Sequence, residues 1–233
     1  VLQIVYYFYS FFKIADEDET VNYSVPTGNF GDIYAGYVSR KMGLPINKLL
    51  IATNKNDILK RVIDTGLYKP LIAEKTISPS MDIQVASNFE RLVFDACACD
   101  SKKTINIMNN LSEEGEFKLS EKELKKIRDI FCSASLLENE TKSIISEVYK
   151  KYGYLIDPHT AVGVGAAKKA TLNGKTIILS TAHPAKFSNT VLEETGVKPE
   201  LPEIVKNIVS KKEKYKKLPN DFKSIKDYIL ANV

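Results

Sequence analysis

Segments that read as strands alternate along this chain with segments that read as helices, and that alternation constrains the fold more than any other feature of the sequence. An apolar run, VLQIVYYFYSFF, reads as a helix, and a strand follows near residues 21–25 (VNYSV). The spacing then predicts a helix over about 31–42, a strand near 48–53 (KLLIAT), and a helix in NKNDILKRVIDTG. That helix starts at Asn56 or Asp57 and has Gly66 just past its end. NFERLVFDACAC continues as an apolar-faced helix, and residues 104–152 read as mostly helical and well charged. Within that stretch, Ser120 and Glu123 have capping-box spacing. DPHTAVGVGAAKKATLNG puts Pro158 near a helix start and Gly174 past its end; TIILST reads as a last buried strand, with helical segments after it. The expected fold is α/β, a mostly parallel sheet covered by helices on both faces.

The junction after the first strand, SVPTGNFGD, carries the clearest chemistry. A helix N-terminus leaves backbone N–H groups without partners, and its dipole favours an anion there. Gly28 and Gly31 remove the β-carbons that would hold a bulky anion away. A strand, a glycine-rich turn and a helix start together form a phosphate cradle, although the spacing is neither G-x-G-x-x-G nor a P-loop. A tight turn that merely uses glycine fits the same residues.

Ligands of open α/β sheets bind outside the carboxyl ends of the strands. A second polar segment, STAHPAKF, meets that condition after TIILS. Ser180 and Thr181 offer hydroxyls, and His183 precedes Pro184, which favours an extended backbone. In the structural alternative, Thr181 caps the next helix and His183 is a core histidine.

The 233 residues suffice for one large domain or two small ones. The layout reads as a sheet domain with the candidate phosphate loop over 1–100, a helical lobe or insertion over 101–152, and a return to the sheet with C-terminal helices over 153–233. The net charge is +4 with only four arginines, which argues against a nucleic-acid partner, and the run KKEKYKK reads as a solvated connector. The apolar first run falls short of the roughly 20 residues that span a bilayer, and it lacks the basic start of a signal peptide. It reads instead as a buried helix that begins abruptly, as though cut from a longer chain. Cys97, Cys99 and Cys132 lack metal-site spacing, and with two histidines no metal site is expected; a reduced, cytoplasmic setting fits.

Five segments in this order, PTGNFGDIYAGYVSRKMGLPI, IATNKNDILKR, SPSMDIQVASNFERL, DPHTAVGVGAA and LSTAHPAKF, closely resemble threonine synthase. That family comprises pyridoxal 5'-phosphate lyases of fold type II, the tryptophan-synthase-β-like group. The resemblance runs from the first helix to about Phe187 and implies the C-terminal part of such an enzyme, incomplete at its N-terminus.

It implies that Gly28, Asn29, Phe30 and Gly31 hold the cofactor phosphate through backbone N–H groups, with the Phe30 ring packed beneath the loop. Thr181 matches the position whose hydroxyl bonds the cofactor's pyridine nitrogen, and SPSMDIQ and DPHTAVG border the site. The implied reaction converts O-phospho-L-homoserine and water to L-threonine and phosphate in threonine biosynthesis. The family's Schiff-base lysine lies before the glycine loop. The only lysine there, Lys13 in FFKIAD, does not match, so no catalytic residue is assigned and the isolated chain is expected to be inactive. The same residues admit a naturally truncated non-catalytic chain or split subunit. A sister fold type II enzyme, such as threonine dehydratase or cysteine synthase, fits SPSMDIQVASNFERL and STAHPAKF less well.

Overall fold

In a computed structural model, residues 2–16, 18–208 and 211–232 are described. Residues 1–199 form one compact unit and 200–233 a second. The first unit is built on six strands: β1 (Val21–Pro26), β2 (Ile46–Thr53), β3 (Leu67–Tyr68), β4 (Phe117–Lys118), β5 (Phe131–Ser135) and β6 (Thr176–Ile178). Four of them make an all-parallel sheet in the order β5-β2-β1-β6, while β3 and β4 pair antiparallel on their own.

Among the described residues, nine α-helices lie in this unit: α1 (Ile4–Ile14), α2 (Gly31–Lys41), α3 (Ile58–Thr65), α4 (Phe89–Ala96), α5 (Ser101–Glu113), α6 (Glu121–Arg128), α7 (Glu138–Tyr152), α8 (Pro158–Ala170) and α9 (Ser188–Thr195). In the second unit, α10 (Phe222–Ala231) is capped by the Asp221 carboxylate, which accepts from the Ser224 N–H.

The strands are central because both of their faces are covered. Alternate side chains of β1, β2 and β5 go to opposite sides. Tyr23, Val25, Leu49, Ile51 and Phe131 join one buried cluster with residues of α1 to α4. Leu50, Ala52 and Ala134 join another with residues of α7 and α8. Full burial of a single Leu or Ile here contributes about 1.5–3 kcal/mol. The expected parallel sheet with helices on both faces is therefore what the chain forms.

Helix α8 lies close against β1 because Gly163 has no side chain. A β-carbon there would lie 3.1 Å from Ile178 and 3.2 Å from Pro26, and the Gly163 carbonyl accepts the Ser24 hydroxyl at 2.7 Å.

Three local readings change. Residues 104–152, read as mostly helical, also supply the two-residue β4 and β5, whose sequence FCSAS is too short and too mixed to show a strand period. TIILST, read as a buried strand, is a three-residue edge strand that is only half buried. The first helix, read as buried, hides Tyr7 and Phe11 but leaves Val5, Tyr6, Tyr9 and Phe12 exposed. The Ser120–Glu123 reading holds: the Glu123 carboxylate accepts from the Ser120 N–H at 3.0 Å at the head of α6.

Candidate functional site

The strand order puts a switch point beside β1. The chain leaves β1 towards β2 on one side, and β6 later joins β1 on the other. Loops leaving the carboxyl ends of two such strands diverge and open a crevice between them. The loop after β1 carries Gly28 to Gly31, and the loop after β6 carries Ser180 to His183.

A cavity of about 270 Å³ opens at this crevice, lined among others by Gly28, Asn29, Ser80, His159 and Thr181. The two segments singled out in the sequence thus meet, although some 150 residues separate them.

The glycine loop leaves backbone donors unpaired. Among the described residues, none accepts from the backbone N–H groups of Gly28, Asn29 or Phe30, and α2 carries no side-chain cap from Phe30. Gly31 differs: its N–H is taken by the Asn29 side-chain carbonyl at 3.0 Å. Phe30 has φ 69°, a left-handed backbone that costs a bulky residue on the order of 1–3 kcal/mol. Its ring meets that cost by burial, 5.2 Å from the Phe89 ring and 5.6 Å from that of Phe131. The ring is buried in the core, and the amide has no partner among the described residues.

Gly28 allows a close approach of a third segment. A β-carbon on Gly28 would lie 2.6 Å from the Ser80 carbonyl oxygen, so the turn Pro79–Met81 rests directly on the loop. That turn is held from beneath by a buried polar cluster. The Asn54 amide donates to Asp82 Oδ1 at 2.8 Å and to Ser78 Oγ at 3.0 Å, and the Thr76 hydroxyl donates to the same Asp82 oxygen at 2.6 Å. SPSMDIQ therefore borders the cavity.

DPHTAVG borders it too, through a histidine that sequence reasoning passed over. His159 is buried at the start of α8, and its Nε2 accepts the Ser80 N–H at 3.3 Å. That bond puts the ring proton on Nδ1, facing Asp157 Oδ1 at 2.8 Å. Asp157 also caps α8, accepting from the N–H of His159 at 2.8 Å and of Thr160 at 3.3 Å. The available signal was Asp157 before Pro158, a capped helix start that turns the following residue inward. His183, weighed instead, is exposed, and its Nδ1 accepts the Ala185 N–H at 3.2 Å.

Asp32, in the first turn of α2, also lines the cavity. Burial raises its carboxyl above the ordinary value, while the Tyr7 hydroxyl at 3.3 Å works the other way. Thr181 is exposed on the opposite loop, on the same cavity as Gly28 and Asn29. The residues fit a phosphorylated planar cofactor: free backbone donors stand at one end of the cavity wall and a hydroxyl on the facing loop. Among the described residues, no helix is long and apolar enough to cross a membrane.

Comparison with known proteins identifies the family. The profile of the family described as "Threonine synthase, C-terminal" matches residues 160–229. The threonine synthase of Pseudomonas aeruginosa is 38% identical over 97% of this chain and 49% of its own length. That of Saccharomyces cerevisiae is 43% identical over 81% of this chain and 41% of its own. Among solved structures, a pyridoxal-phosphate-bound threonine synthase of Brucella melitensis superposes with a TM-score of 0.90 at 44% identity, covering 97% of this chain and 49% of that one. The chain spans about half the length of the curated relatives it matches. It belongs to the threonine synthase family, in the part that forms the C-terminal half.

Proposed function

We propose that this chain supplies the C-terminal part of a pyridoxal-phosphate-dependent threonine synthase, a lyase that converts O-phospho-L-homoserine and water to L-threonine and phosphate. The observation that carries the reading is the trio of unpartnered N–H groups at Gly28, Asn29 and Phe30 at the head of α2, of which Gly28 and Asn29 line the cavity that Thr181 also lines. Gly28, Asn29 and Phe30 offer the cofactor phosphate free backbone N–H groups, and Gly31 joins them when the Asn29 side chain gives up its N–H, with the α2 dipole adding to these donors. When bound, the cofactor supplies the electron sink for removing protons from the substrate carbons.

Thr181 meets the pyridine nitrogen with a neutral hydroxyl, which draws electrons less strongly than a carboxylate partner. His159, fixed by Asp157, keeps Ser80 against the phosphate loop. None of the described residues is assigned the Schiff-base role, so this chain binds the cofactor without turnover.

Titrating the purified chain with pyridoxal 5'-phosphate, followed by fluorescence, tests this. Saturable binding that inorganic phosphate competes away, with no phosphate released from O-phospho-L-homoserine, is the expected result. Failure to bind sinks the loop assignment, and turnover by the purified chain sinks the reading of it as a partial enzyme.

A further inference from the structure

The cavity beside the glycine loop carries a positive charge that binding of the cofactor phosphate leaves unused. Lys186 lines it together with Gly28, Asn29, Asp32 and Thr181. Among the described residues the Lys186 ammonium forms no ion pair; it lies 5.7 Å from the centre of the Phe187 ring. The carboxylate on the same cavity, Asp32, accepts the Tyr7 hydroxyl at 3.3 Å and does not pair with Lys186.

The backbone that carries this lysine is fixed. Lys186 sits in the short turn Pro184–Phe187, where its N–H donates to the His183 carbonyl at 3.0 Å and His183 Nδ1 accepts the Ala185 N–H at 3.2 Å. The next residue, Phe187, packs its ring 4.8 Å from that of buried His159, whose Nε2 accepts the Ser80 N–H. The turn bearing the ammonium is thus seated on the same histidine that positions the Ser80 turn.

Two kinds of anion recognition therefore meet at one cavity. The N–H groups of Gly28 and Asn29 are neutral, directional donors that suit a phosphate lying close to the backbone. Lys186 is a point charge on a flexible stem, which suits a second anion that does not touch the backbone. Resting on the cofactor reading above, we infer that Lys186 is a specificity-determining residue for the substrate: with the cofactor phosphate on the glycine loop, its ammonium binds the phosphate of a phosphate monoester. Lys186 makes and breaks no bond in this role. A phosphate monoester carries close to two negative charges at neutral pH where a carboxylate carries one, so a lone ammonium favours the phosphate.

The test titrates the full chain, saturated with pyridoxal 5'-phosphate, with n-propyl phosphate, a monoester that has no amine to condense with the cofactor aldehyde. Calorimetry should show the monoester joining the cofactor rather than displacing it. Lys186→Met should weaken this binding by about tenfold or more, the scale of a lost charge-assisted bond. Lys186→Arg keeps the charge and should stay within about threefold of the parent. Butyrate, of similar length, should bind more weakly than the monoester. The melting temperatures of both variants should match the parent, since the side chain is exposed. Three results overturn the inference and leave the cofactor site standing: no difference between parent and Lys186→Met, displacement of the cofactor by propyl phosphate, or butyrate binding as tight as the monoester's. A parent chain that takes up no cofactor refutes the site reading, and the inference falls with it.

Discussion

The α-carbon of Gly28 faces the carbonyl of Ser80 so closely that a β-carbon would sit 2.6 Å from the oxygen. Two backbone segments some 50 residues apart thus touch where the glycine loop turns. Gly28→Ala forces the Pro79–Met81 turn to move, since neither contact atom belongs to a flexible side chain. We expect a stability loss of about 1–3 kcal/mol from overpacking. Affinity for pyridoxal phosphate should fall at least tenfold. Melting curves and a cofactor titration check both, and unchanged affinity would show that the loop is not the anion site.

Asp157 serves α8 and the site with one carboxylate. Asp157→Ala strips the cap from the His159 and Thr160 N–H groups and leaves His159 Nδ1 without its acceptor. The expected cost is about 3 kcal/mol, combining a lost cap with buried donors left unpaired. Asp157→Asn keeps an acceptor for the cap and should cost about half as much. Hydrogen exchange at Ser80 should quicken in the alanine variant, because its amide depends on the orientation of His159.

Glu123 gives the fold a pH-dependent component. Burial works against its ionised form, yet the Lys103 ammonium at 2.7 Å and the Ser120 donors outweigh burial and hold the carboxyl below its ordinary value. A depressed carboxyl stabilises the fold above the unfolded value of 4.5 and loses that contribution as pH falls through the folded value. Glu123→Gln should cost about 1–2 kcal/mol at neutral pH, the scale of a charge-assisted bond. The gap between parent and variant should close as denaturation is repeated at successively lower pH below 4.5.

Gly36 is the point on α2 against which Tyr7 packs. A β-carbon there would lie 2.5 Å from Tyr7 Cε1, and the Tyr7 ring is itself held 4.8 Å from that of Tyr23. Gly36→Ala should destabilise by about 1–3 kcal/mol, partly offset by better helix propensity. Tyr7→Phe removes only the hydroxyl that donates to the Asp32 carbonyl at 2.9 Å and should cost about 1 kcal/mol. Thermal unfolding of the two variants separates ring packing from the hydrogen bond.

The sequence announced elements with strong local signals and stayed silent where partners lie far away. VNYSV shows as a strand by its alternation and KLLIAT by its apolar run, and both are largely buried. Gly66 marks the end of α3, where the backbone takes φ 77°. FCSAS was missed because a strand flanked by β2 can use small and half-polar residues without any visible period. The exposure of α1 was misjudged because apolar composition says that a helix wants cover, not that the cover is present. In the site, the glycine loop was legible from its own residues. His159 was not, since its role depends on Ser80, 79 residues away.

The pairing of β1 with β6 has a kinetic meaning as well. The Asn22 side chain reaches the Lys175 carbonyl, 153 residues along the chain, and this closure places the Thr181 loop opposite Gly28. Closing so long a loop costs more entropy than joining β1 to β2, so this pairing should come after β1 and β2 have joined. The crevice should then be among the last parts of the unit to assemble. A ligand resting across it holds a late-formed part of the molecule, and should slow the first step of unfolding more than it speeds any step of folding.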